Sequence, residues 1–157
     1  AVFEHGAPRV HISNIRLVGT LTVQGGDLRL SDCIVEGGSN EAAATAIESS
    51  SGYRSLSVLA GSAVLTRSTW RHHSCGAIFI QSAQLTIVEC TFSDCRASSG
   101  GAVLVGDGSV VVVAASNFTD NRASVNGGAL QVDGGEVLLL NETLFERNTA
   151  GSSGGSI

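Results

Sequence analysis

The chain has no lysine and no methionine, a single proline, one tryptophan and one tyrosine; aromatics are 4% of its 157 residues. Set against 43% hydrophobic residues, that scarcity excludes a bulky aromatic centre and favours thin layers of Val, Ile, Leu and Ala. Without lysine, all nine basic residues are arginine; the net charge is −5 and no basic run exists. Nucleic acid and anionic membranes are therefore poor partners. A membrane-spanning helix needs roughly 20 apolar residues. The longest apolar run here, Val110 to Ala115, is strand-sized, so the chain is not expected to span a membrane. No signal peptide is visible at Ala1. A start without Met and an end on Ser156-Ile157, inside a repeat, are expected of a piece of a longer protein.

What is abundant is glycine, 20 residues, and it falls in a repeat. Gly76-Ala77-Ile78-Phe79-Ile80, Gly101-Ala102-Val103-Leu104-Val105 and Gly128-Ala129-Leu130-Gln131-Val132 align, and Gly155-Ser156-Ile157 begins a fourth copy. Each is followed by a second run, Gln84 to Val88, Ser109 to Val113 and Glu136 to Leu140, and then by Phe92, Phe118 or Phe145. The first half repeats more faintly through Gly19 to Leu28 and Ser55 to Val64, with Ile34 and Trp70 in the aromatic slot. Residues 39–53 are rich in Ala and Ser and read as an insertion loop leaving the stack.

Runs of period-two alternation separated by Gly, Asp or Ser predict three strands per turn. The fold class expected is all-β: a right-handed parallel β-helix, three-faced, of about five coils in one segment spanning 1–157. Strands about 4.8 Å apart would make a rod on the order of 25 Å long. Alternation predicts interior columns of Ile78, Val103 and Leu130, of Ile80, Val105 and Val132, and of Leu28, Val64, Leu85, Val110 and Val137, beside the aromatic column.

Gly100-Gly101-Ala102-Val103 and Gly127-Gly128-Ala129-Leu130, paired with Phe118-Thr119-Asp120-Asn121 and Phe145-Glu146-Arg147-Asn148, resemble the repeat of the polymorphic outer-membrane proteins. The resemblance covers about 75–157 and departs from the pattern at Cys75-Gly76, at Cys95 and at Trp70 to His73. It implies a β-helical passenger of autotransporter type, surface display and adhesion, and it carries over no catalytic residues. Similar repeats occur in large extracellular proteins of algae and protists.

An extracellular structural or adhesive scaffold, part of an appendage, filament or wall, is accordingly the expected function. No cofactor is expected; the partners expected are other segments or subunits of an extracellular assembly, and glycans. The competing reading is a secreted polysaccharide lyase or hydrolase, because Glu36, His72, Asp94, Asp120 and Arg147 align after the aromatic slot, with Arg96 and Arg122 two residues further on. Asp94, Asp120 and His72 would be its catalytic groups, and such chemistry needs two groups of separated pKa at one bond. The plainer reading of that strip is a solvated surface of weak ion pairs.

Four cysteines suit an oxidising compartment. Cys75 and Cys95, in neighbouring coils, are the expected bridge; Cys90 is expected to point inward and Cys33 outward. His72 and His73 should face opposite ways, and no zinc spacing is present, so no metal is expected. Asn117 and Asn141 head glycosylation sequons. Asn121 and Asn148 share a corner where stacked amides would serve the backbone. Val111, Val113, Leu138, Leu140, Phe79 and Leu104 are apolar at positions expected to face solvent, which would make them an interaction face.

Overall fold

The computed structural model describes residues 2–3, 9–36 and 54–157; the insertion expected at 39–53 lies outside them. Short β-branched runs broken by turns cannot bury an apolar face alone. Stacked in parallel they bury it against their neighbours. Among the described residues three sheets of six parallel strands result, so the described stack has six coils rather than about five. The first sheet ends with Leu56–Val58, Ile78–Ile80, Val103–Val105 and Leu130–Val132. The second contains Asp27–Ser31, Ser62–Thr66, Gln84–Val88, Val110–Ala114 and Glu136–Leu140. The third contains Ile34–Glu36, Thr69–Arg71, Thr91–Ser93, Asn117–Thr119 and Leu144–Glu146. A fourth, three-stranded sheet was not expected; it joins Arg96–Ser99, Arg122–Asn126 and Thr149–Ala150 in the last three coils.

The first sheet holds its expected interior columns, with Ile78, Val103, Leu130, Ile80 and Val105 all fully buried. In the third sheet Trp70, Phe92, Phe118 and Phe145 stack at centroid distances of 5.8, 4.8 and 4.9 Å. Such stacking adds about 0.5–1.5 kcal/mol per pair beyond area burial. The slot preceding Trp70 is filled by Val35, not Ile34, which is exposed.

The second sheet corrects the expected phase. Leu28, Ala63, Leu85, Val111 and Val137 share one column, so Val64 and Val110 face outward. Val111 and Val113 are fully buried core, not an interaction face. The physical reason is the loop Gly106 to Ser109, one residue longer than its counterpart, followed by four valines that carry no alternation to mark the slip. A slip of one residue exchanges the two faces of a strand.

The repeat glycines are required by contact. Gly127 has φ +59°, and a Cβ on Gly128 would overlap the Gly155 carbonyl of the next turn. The amides of Gly127, Gly128 and Ala129 donate to carbonyls of Ser153, Gly154 and Ser156, each 3.0 Å away.

Candidate functional site: corner ladders and outer faces

The corner after the third sheet carries the residues singled out for chemistry. His72, Asp94, Asp120 and Arg147 all have positive φ, between 52° and 59°, a conformation that Asp and His tolerate better than most residues. Their alignment is thus a column of turn formers. Glu36 does not belong to it: Glu36 lies in register with Arg71 and is gripped by Arg71 and Arg16. Arg147 holds Asp120 with two hydrogen bonds, from Nε (2.7 Å) and Nη2 (2.9 Å), and these bonds keep the Asp120 carboxyl below the usual carboxylate range. His72 Nε2 stands 3.9 Å from Asp94 Oδ2 on the open surface. A general acid needs its pKa raised toward the working pH, and Asp120 is moved the other way.

One residue later the chain turns inward, and the column reads His73, Cys95, Asn121, Asn148. Asn121 is fully buried; its Oδ1 accepts from the Cys95 amide (3.1 Å) and its Nδ2 donates to Phe92 O (3.1 Å) and Asn148 Oδ1 (3.0 Å). Asn148 repeats the arrangement, donating to Phe118 O at 2.9 Å. This is the amide ladder expected from the sequence. His73 closes it, its ring between Ser55 Oγ (2.6 Å) and Val35 O (3.1 Å); burial pushes its pKa down to about 4, so the ring is neutral at ordinary pH.

A second inward column alternates Cys33, Ser68, Cys90 and Ser116. Each thiol or hydroxyl donates to the carbonyl two residues back, at 3.2, 2.9, 3.3 and 2.8 Å. Cysteine here is a serine equivalent. Cys33 is therefore buried, against expectation, and the coil of Ser68 separates it from Cys90. All four cysteines are free thiols, so the bridge expected between Cys75 and Cys95 is not formed. Burial raises the Cys90 thiol to about 11 and the Cys95 thiol to about 12. Among the described residues no three His, Cys, Asp or Glu side chains converge on a metal position.

Arg54 carries no signal in the sequence, because it follows residues 39–53 and has no counterpart in the repeat. It is 4% exposed, and its guanidinium donates to the carbonyls of Ile78 (3.1 Å), Gly100 (2.9 Å) and Ser99 (2.5 Å). Gly76 leaves room for it, since a Cβ there would meet the guanidinium. Arg54 thereby caps the edge where the fourth sheet begins. Burial lowers its pKa to about 10, which leaves it charged.

The outer faces divide. Phe79, expected outside, is 7% exposed, and Leu104 is half-buried. Val110, Leu138 and Leu140 stand out at 42, 53 and 40% exposure on one side of the second sheet. Val112 and Ala114, half-buried, lie between them. Asn117 and Asn141 are both exposed. No described helix is long and apolar enough to cross a membrane.

Residues 115–133 match the Chlamydia polymorphic membrane protein repeat. Comparisons with curated proteins and with solved structures returned no match. The matched stretch contains the stacked Phe118, the turn-forming Asp120, the buried Asn121, the Gly127-Gly128 corner and the interior Ala129 and Leu130. Each of these residues is occupied in building the coil.

Proposed function

We propose that the chain is an extracellular structural and adhesive scaffold, a β-helical rod that presents its outer faces to other segments or subunits of a surface assembly. One observation carries this reading. The motif residues turn inward, while Val110, Leu138 and Leu140 form an uncovered apolar band on a regular sheet. Contiguous exposed apolar surface is typical of a protein contact site, and a solenoid extends such a band along its axis. The repeat type at 115–133, named for a membrane protein of bacteria, supports display at a cell surface. Asn117 and Asn141 are proposed to carry glycan where the chain passes through a glycosylating compartment.

Immunogold labelling of source cells tests the location. Regular label along a wall or appendage is the expected result. Protein found only in the medium would count against a scaffold. The band is tested by Leu138→Asp with Leu140→Asp, which should abolish co-purification with the wall or appendage fraction while leaving the folded chain intact.

A further inference from the structure

Six of the nine arginines are held inside the fold or paired with a carboxylate. Arg9 pairs with Asp27, Arg16 and Arg71 with Glu36, Arg67 with Asp32, and Arg147 with Asp120. Arg54 is held by carbonyls. Arg29 has no ion pair among the described residues and stands singly on its strand, two residues after Asp27. Arg96 and Arg122 likewise have no hydrogen-bonded or ion-paired partner among the described residues. They are also direct neighbours: both are exposed, and they are in register across the parallel strands Arg96–Ser99 and Arg122–Asn126.

Like charges placed opposite each other in a sheet repel, and nothing in the fold makes use of this pair. The backbone nevertheless holds it firmly. The Arg96 amide donates to His73 O (2.6 Å), Arg122 to Cys95 O (2.8 Å) and Thr149 to Asn121 O (2.9 Å). Those bonds put Ser74, Arg96, Arg122 and Thr149 in one row along the axis, all exposed. At about 4.8 Å per coil the row is about 14 Å long. Ser98 and Ser124, also exposed, lie on the same strands one outward position further.

We propose that this row is a binding site for an anionic polysaccharide bearing sulfate or carboxylate groups. The two guanidinium forks take successive acidic groups with paired hydrogen bonds, and the flanking hydroxyls meet sugar hydroxyls. Among the described residues the face offers no aromatic ring on which a base could stack, which disfavours single-stranded nucleic acid. The proposal rests on the adhesive reading and names the partner chemistry of that surface.

The test is binding of the whole chain to sulfated oligosaccharides of the heparin type and to oligouronates at low salt. Saturable binding is expected to at least one of them, weakened about tenfold or more by Arg96→Gln with Arg122→Gln. Arg29→Gln controls for lost charge and should bind like the parent. Neutral dextran and oligothymidine should not bind. Absence of binding by the parent overturns the proposal. So does a double variant no weaker than Arg29→Gln, or oligothymidine binding as tight as the sulfated probe. Adhesion of chain-coated beads to cells is measured in parallel. Adhesion kept without oligosaccharide binding sinks only the arginine row, whereas loss of both sinks the adhesive reading too.

Discussion

The last three coils and the first three solve the same corner problem with different chemistry. From Phe92 onward the corner is interior. The rings of Phe92, Phe118 and Phe145 stack, and Asn121 and Asn148 pass hydrogen bonds from coil to coil. In the earlier coils that corner is gripped from outside, by Arg16 and Arg71 on Glu36. Arg9 with Asp27 and Arg67 with Asp32 tie the other corners, the latter around the inward Cys33 and Ser68. The later coils add the surface pair of Arg147 and Asp120 to their interior ladder. Trp70 and His73 stand where the two styles meet, 6.1 Å apart between ring centroids, and Arg54 caps the fourth sheet at the same level. A dry ladder is worth more than exposed ion pairs because solvent and salt compete for the latter. The later half is therefore expected to be the stiffer one.

The largest test of that difference is Phe118→Ala, which removes the middle ring of the stack. It should cost about 3–5 kcal/mol in denaturant unfolding. It should also uncouple the last coil, seen as faster amide exchange beyond residue 118. Unchanged stability would mean the ring column is not what holds the later coils together.

His73 gives the next effect. Burial sets its folded pKa at about 4, below the ordinary histidine value of 6.5, so as pH falls the unfolded chain takes up the proton first. Its stabilising share is thus complete above pH 6.5 and is lost progressively from there down to about 4. The loss is on the order of 3 kcal/mol. Unfolding measured against pH should show this slope in the parent and lack it in His73→Gln.

Asn121→Ala leaves the buried Cys95 amide without a partner, removes one of the donors to the Phe92 carbonyl and should cost about 1–3 kcal/mol. Asn148→Ala, in the half-buried outermost coil, should cost less. The reverse order would show that the ladder is anchored at its end instead of its centre. Smallest of all, Arg67→Gln and Arg147→Gln should change thermal stability within measurement error, since both ion pairs are on the surface. A clear loss in either would erase the contrast between the two halves.

The parallel solenoid, the aromatic column and the asparagine ladder are legible in the amino-acid order because each recurs at about one coil's spacing. Repetition marks a position several times over. The phase of the valine strand is not legible there, because Val110 to Val113 offer no polar residue to separate inside from outside. Glu36 was misplaced by one residue for a related reason: Ile34 and Val35 are equally apolar, and only pairing with Trp70 chooses between them. The acidic strip looks chemical in one dimension. In three it is a run of left-handed corners, where Asp and His are favoured for backbone reasons.

Periodic hydrophobicity and glycine placement suffice to specify a coil, since each coil meets the same neighbours and repeats the same local rules. Contacts that occur only once obey no such rule. Arg54 reaches carbonyls of residues 78, 99 and 100, more than twenty positions along the chain, and Cys33 and Cys90 prove to be hydrogen-bonding equivalents of serine. Arg96 and Arg122, ordinary surface residues in the linear order, become a charged row because register sets them side by side. Stacking decides such neighbours, as it fixes distances between residues that the chain itself keeps apart.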